Sequence, residues 1–514
     1  DKRQKSAGEL KVAEELAVTV AGLSLNEPPE DDVQRKMTEK RHMEVDSEIL
    51  RGIPLHKLLR QPQFWVTPDH IRQTQQAEQV WKLSTPVECY DTFLSHTWST
   101  PGRWKVLALL LQSGWMHGLV GWFIGVVLVL VLRSLAVVQA TRTGLVLYAS
   151  KQYTAQFSPW AVIVGGVCLA LGTCLSVFLP LRRQMCFLDV ACIHQGRGEL
   201  FQRGLYGLGG CLSVSRELRV LYSPPYLSSL WCVFELVGFR KANPGGKLTF
   251  APLFVERCAV MWVAVAWCLC FCSVLVLGNT ESTWRQQNVI LWYTVLVLPS
   301  WAVAVHILRL NYREKKKLIS DLDQFSFDTA RCDLDFDRSF ILSAAEGWFG
   351  SKEGFQDFVR GPLREELLLL IPLGHFPYRY VALLMSTPTA LLLDFFLSLH
   401  MSGTDTPVLL FYGVLCLAGL ISSVSFTINS MLYLSERTAG GGSSLMIDWA
   451  KTLGVAASIF LWTLSAFALF VVVSRSDNLF GLAGYIVFSV LLLCCNSDTA
   501  QACGRLRHRL GTYI

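Results

Sequence analysis

The sequence predicts an α-helical multi-pass membrane protein with about eight transmembrane helices, plus a cytoplasmic α/β domain built on a parallel sheet. Three observations carry this. Eight apolar runs, each near the ~20 residues that a bilayer core requires, are spread between residues 115 and 495. Only 17% of the 514 residues are charged and the mean hydropathy is +0.38, whereas soluble domains carry roughly 25% charge. Between the apolar runs lie short strand-like segments alternating with helical ones, the pattern of a doubly wound sheet.

The elements follow in order. Residues 1–85 mix charge runs with Pro28-Pro29-Glu30-Asp31-Asp32 and predict a polar, partly disordered arm with short helices such as 68–83, which opens on Pro68. The first domain segment, 86–114, holds a strand at 90–96 and a helix at 103–113, with Gly114 as its stop. Runs 115–132 and 160–180 form a transmembrane hairpin inserted over 115–183. The domain resumes over 184–256 with a second strand at 185–189, a loop at 191–204 and a short helix at 205–215. A third strand at 218–222, a helix at 227–239 and a fourth strand at 248–255 complete it. Runs 258–277 and 289–308 make a second hairpin within 257–308. A cytoplasmic helical linker spans 309–379, four more runs (380–399, 408–432, 452–473, 479–495) lie within 380–496, and 497–514 is a basic tail. Trp115, Trp160 and Tyr380 stand at run ends, where amphipathic rings favour the interface. No fifth strand is evident, so the domain is either truncated or completed by 318–366.

Lysine and arginine set the orientation. Arg309, Arg313, Lys315, Lys316 and Lys317 follow the fourth run, and Arg505, Arg507 and Arg509 sit in the tail. The opposite loops hold only Arg133, Arg142, Lys151, Arg285 and Arg475. Both termini and segments 181–257 and 309–379 are therefore expected on the cytoplasmic side of a membrane whose organelle is not specified. The two halves of the α/β domain must share one side, and the two crossings between them satisfy that. The net charge of +6 clusters near apolar segments. It suits a lipid bilayer as partner, and no nucleic-acid-reading motif is present. Many of the sixteen cysteines lie inside apolar runs as small hydrophobes. No spacing suggests a disulfide framework.

The most informative stretch runs from Arg219 to Leu236: a strand, a turn, and a helix opening on Ser229-Leu-Trp-Cys232 with one carboxylate, Glu235. Glu235 falls beyond the C-terminal end of a parallel strand, where open α/β sheets place their ligand sites. These residues resemble the Toll/interleukin-1 receptor (TIR) domain family. Tyr90-Asp-Thr-Phe-Leu-Ser-His96 is similar to its first strand, Phe187-Leu-Asp189 to its second, and Val220-Leu-Tyr-Ser223 to its third. Ser229-Leu-Trp-Cys-Val-Phe-Glu235-Leu is similar to its Ser-x-Trp-Cys-x-x-Glu-Leu helix, and the match covers about a quarter of the chain. The membrane portion, with Ala330-Arg-Cys-Asp-Leu-Asp-Phe-Asp-Arg338, resembles multi-pass proteins of unicellular algae, which implies no function.

The TIR resemblance implies a membrane-anchored signalling or scaffold protein that works through homotypic TIR–TIR association. It also implies, as an alternative, an NAD(P) glycohydrolase in which Glu235 is catalytic and His96, Asp189, Ser223 and Trp231 line the substrate site. No cofactor is then required, and NAD(P) is the substrate. Against these stand structural readings, which the residues favour for all but His96: a solvent-facing or helix-end Glu235 in a scaffold, an Asx-type cap at Asp189 and a core Trp231; for His96 a structural histidine is an even alternative. The chain departs from the enzymatic members at Thr97–Arg103, which lacks an acidic–arginine cluster, and at Phe234, where plant-type members often carry Asp.

Other candidates are weaker. Cys186, Cys192 and His194 match no strong zinc spacing, so no metal is expected. Gly207-Leu-Gly-Gly lacks the frame of a phosphate loop. Asp321, Asp323, Asp333, Asp335 and Asp337 lack the Gly and terminal Glu of a calcium loop and read as a solvated acidic face. Within the apolar runs, Asp394 and Asn429 are the notable polar residues, Asp394 being either a functional carboxylate or one that snorkels. They support a third alternative, a transporter or channel regulated by the α/β domain.

Overall fold

The computed structural model describes residues 37, 42–44, 46–65, 67, 71, 76–139, 142–148, 151–179, 183–196, 198–277, 283–370, 377–440, 444–475 and 479–492. The expected basic tail and most of the N-terminal arm lie outside them. The strands are β1 (Arg51–Pro54), β2 (Thr85–Pro86), β3 (Thr92–His96), β4 (Arg142–Tyr148), β5 (Lys151–Phe157), β6 (Met185–Phe187), β7 (Glu217–Tyr222) and β8 (Lys247–Pro252). The chain divides into two compact units. One comprises Asp1–Arg103, Leu181–Ala251 and Asp321–Leu367; the other comprises Trp104–Pro180, Pro252–Ser320 and Leu368–Ile514.

The first unit is built on a mixed six-stranded sheet in the order β2-β1-β6-β3-β7-β8. β3 pairs in parallel with β6 (Phe93 opposite Phe187) and with β7 (Ser95 opposite Val220, His96 opposite Leu221). Every residue of β3 is buried, as expected for a central parallel strand covered on both faces. Phe93 stacks on Phe187 with ring centroids 4.3 Å apart. The sequence expectation contained no strand before residue 90. The structure adds β1, antiparallel to β6 through Ile53 and Cys186, so part of the polar arm extends the sheet beyond its second strand. An alternating apolar pattern is invisible in four residues, Arg-Gly-Ile-Pro, which explains the omission.

No fifth parallel strand follows β8 among the described residues. The unit is completed instead by the Asp335–Phe349 helix, which packs on the Leu230–Ala242 helix through Phe340, Phe234 and Trp348. Of the five aspartates read as a solvated face, Asp337 is buried. Its two oxygens accept from Tyr206 Oη (2.8 Å) and Trp231 Nε1 (3.1 Å). Burial pushes its carboxyl above the usual range, which the two donors oppose.

Among its described residues, the second unit is helical apart from the antiparallel β4–β5 hairpin and short connections. Five helices among the described residues are long and apolar enough to cross a membrane: Gly102–Ser134, Leu253–Val274, Tyr378–Met401, Thr406–Thr438 and Leu445–Phe470. The expectation was about eight. Trp160–Leu175 and Leu479–Leu492 are apolar but shorter. Run 289–308 lies within a longer helix, Thr283–Asp323.

Gly114 does not stop its helix, which continues to Ser134. It belongs to a glycine stripe. A Cβ added at Gly114, Gly118 or Gly121 would overlap Ser176, Thr173 or the backbone of Cys168. Small residues thus let two apolar helices approach closely where no hydrophobic effect drives them together. Asp394 does not snorkel: it is fully buried and pairs with Arg133, and its second oxygen accepts the Ser158 N–H at 3.1 Å. Arg133 also donates to Gln156 O at 2.6 Å. Asn429 is half-buried. Arg309, counted as a loop charge, is likewise buried and donates to Asp448 Oδ1 (2.6 Å), Asp448 O (2.7 Å) and Thr438 O (2.8 Å).

Candidate functional site

The four strands expected from the sequence run in spatial order second, first, third, fourth: β6-β3-β7-β8. In a doubly wound sheet of this order, the chain reverses direction across the sheet between the first and third strands, and a crevice opens beyond their C-terminal ends. Here those ends are His96 of β3 and Tyr222 of β7. The candidate residues collect at this edge.

Glu235 is placed by the Leu230–Ala242 helix, which follows β7. The Ser229 side chain makes no capping bond. The helix start is fixed instead by backbone pairing with a distant segment: Leu230 N–H donates to Arg331 O (2.9 Å), and Arg331 N–H donates to Ser228 O (2.6 Å). One of the four orphan N–H groups at a helix start is thereby satisfied. Eight residues spread around the helix are buried, so its rotation about its axis is fixed by packing. Glu235 and Trp231 are the half-buried positions among them.

One carboxyl oxygen of Glu235 accepts a hydrogen bond from the Ser95 hydroxyl, at the penultimate residue of β3. Ser95 Oγ also lies 2.5 Å from Tyr226 Oη. With Ser95's only hydrogen committed to the carboxyl, the fully buried Tyr226 donates to Ser95, so the three groups form one chain. Tyr226 Oη also reaches Cys232 O at 3.2 Å. Burial first, then the neighbouring Cys232 and Glu235, hold the Tyr226 phenol well above its usual pKa. Burial pushes the Glu235 carboxyl up to about 8; donation from Ser95 opposes this and the Asp189 charge adds to it. At neutral pH the resting carboxyl therefore carries its proton.

Asp189 opens a single helical turn after β6. Its Oδ1 accepts from the Val190 N–H and its Oδ2 from the Trp98 indole, each at 2.7 Å. Leu188, not Asp189, is the N-cap of that turn, and it makes no side-chain capping bond; the Trp98 contact clasps the loop after β3 to Asp189. His96 is buried, edge-on to Trp98 at 4.4 Å, and its carbonyl accepts from the Cys232 thiol at 3.5 Å. Ser223 is buried and shares a 2.5 Å hydrogen bond with Thr100, tying the loop after β3 to the end of β7. Trp231 commits its indole N–H to Asp337 and its ring to Phe234 and Phe340. Its polar atom faces that helix.

The residues picked from sequence thus fall into two groups. Glu235, Asp189, His96 and Ser223 meet at one sheet edge, whereas Trp231 serves the packing of the Asp335–Phe349 helix. Sequence reasoning missed Ser95, Tyr226 and Trp98. The available signal was positional: Ser95 is one residue from the end of the central strand at the reversal point. Cys186 and Cys192 are buried thiols pushed up to about 12 and higher by burial. His194 is engaged by Glu78 at 3.1 Å and by the Gly196 N–H.

No protein-family model, no curated protein and no solved structure matches this chain.

Proposed function

We propose that this chain is a membrane-anchored signalling protein with a cytoplasmic TIR-like domain, whose chemistry is hydrolysis of the N-glycosidic bond of NAD(P) at Glu235. The observation that carries this reading is the Glu235 carboxyl. It sits at the reversal point of the sheet, half-buried, bonded to Ser95 and raised by burial to about 8. A strongly perturbed carboxyl at the C-terminal edge of a parallel sheet is a candidate functional group.

The chemistry follows from charge. Breaking the ribose C1′–N bond sends the bonding pair to nicotinamide, which leaves neutral, and builds positive charge on the ribose. An ionised carboxylate stabilises that charge. Water then adds to C1′ and its proton passes to the carboxylate. The resting acid must first ionise, and the cationic pyridinium of the substrate favours that, since an opposite charge nearby lowers a carboxyl pKa. Ser95 holds the carboxylate through a charge-assisted bond. Asp189 and Trp98 would border the ribose side.

The test is nicotinamide release by the full chain in nanodiscs at millimolar NAD. Glu235→Gln should lower it by on the order of 10²–10⁴-fold. No release from the intact protein removes the hydrolase reading and leaves association of TIR-like domains as the function of this unit. Equal release from both proteins removes Glu235 from the reaction.

A further inference from the structure

The second unit holds a cavity of about 220 Å³. Its walls come from five helices: Leu253–Leu277, Thr283–Asp323, Tyr378–Met401, Thr406–Thr438 and Leu445–Arg475. No charged residue lines it, and the surface it presents is apolar. Thr463, on its wall, turns its hydroxyl to Phe460 O at 2.8 Å. Ala266 and Ala304 leave the space open where larger side chains would fill it. The cavity is partly open.

Three physical points bear on its occupant. A closed apolar cavity of about 150 Å³ stays dry and takes up apolar guests; this one is larger. Interiors are otherwise close-packed, so a hole of this size forfeits dispersion contacts along its whole lining. Helices as apolar as these have hydrocarbon as their surrounding solvent, so the guest at highest local concentration is a lipid chain. With no charge on the walls, a polar headgroup has no partner inside and stays at the mouth.

We propose that this cavity binds a single hydrocarbon chain of a lipid, inserted tail first among the five helices. The site is independent of Glu235 and of the hydrolase reading.

The full chain would be placed in phosphatidylcholine liposomes doped with palmitic acid carrying a diazirine near its tail. After illumination, adducts would be mapped by mass spectrometry. Labelling of the wall residues Met385 and Met431 should saturate with probe and be displaced by unlabelled palmitate. It should fall at least tenfold in the Ala266→Leu/Ala304→Leu double variant. Labelling of Leu461, which is 60% exposed, should stay linear with probe and unchanged by the variant. A second arm uses phosphatidylcholine with the diazirine in one acyl tail. Saturation with either probe supports the site and names the source of the chain. Linear labelling of Met385 and Met431 with both probes overturns the proposal, as does saturable labelling that persists in a folded double variant. If the double variant does not fold, saturation in the wild type decides the question alone.

Discussion

Replacing Ser95 with alanine isolates the chemistry of Glu235 from its packing. The Ser95 hydroxyl donates to the Glu235 carboxyl and opposes the upward push of burial, which has already moved that group from 4.5 to about 8. A hydrogen bond to a charged group contributes about 1.5–3 kcal/mol, and one pKa unit corresponds to about 1.36 kcal/mol. Ser95→Ala should therefore raise the midpoint further, by about 1–2 units, to about 9–10. Tyr226 keeps Cys232 O as a partner at 3.2 Å, so the substitution does not strand that hydroxyl. The assay is an infrared titration of the full chain in nanodiscs, following the C=O stretch of a protonated carboxyl. Subtracting the same titration of Glu235→Gln removes other buried acids. The wild-type difference band should disappear with a midpoint near 8, and the Ser95→Ala band about one to two units higher. An unchanged or lowered midpoint would show that the hydroxyl does not donate to the carboxyl and would refute the hydrogen-bonded chain. In the hydrolase assay, the alkaline rise of kcat/KM should move by the same amount.

Three further outcomes follow from the structure. Because the folded pKa of Glu235 is raised, its contribution to stability is complete below about pH 4.5 and is lost as pH rises to about 8. Glu235→Gln should thus gain thermal midpoint over wild type across that window, at up to about 1.4 kcal/mol per pH unit, and no further above it; a pH-independent difference would contradict this. Asp394→Ala should destabilise the detergent-purified chain by about 3–5 kcal/mol by stranding Arg133, and Arg133→Met/Asp394→Leu should recover most of that; additive losses in the double variant would count against a buried pair. Gly118→Val should force its helix away from Thr173 and cost about 1–3 kcal/mol, whereas Gly454→Ala, with open space at its Cβ, should be silent; thermal unfolding in detergent compares the two.

Much of the candidate site was legible along the chain. The Ser-x-Trp-Cys-x-x-Glu helix and the four strand segments lie close to where the sequence put them. Their positions depend on local apolar patterning, which survives in a single sequence. The order of those strands is different in kind. The pairing of β3 with both β6 and β7 joins residues about 90 and 125 positions apart, across an inserted helical hairpin, and only the folded chain shows it. Ser95, Tyr226 and Trp98 were not singled out for the same reason, since each acquires its meaning from a partner more than 90 residues away.

The sequence by itself determined that apolar helices dominate this chain and that Glu235 stands alone on a helix after a buried strand, because composition and periodicity are properties of neighbours. The tertiary structure decided which polar groups are structural and which are poised. Asp337, read as one face of an acidic surface, became a buried acceptor for Trp231 and Tyr206. Asp394, read as a membrane carboxylate open to function, became half of an ion pair with Arg133. Glu235 alone among these three kept partial exposure, with a hydroxyl bonded to one oxygen and a negative neighbour at Asp189. Desolvation and partner geometry set the charge state of a carboxyl, and both arise only when distant segments pack together.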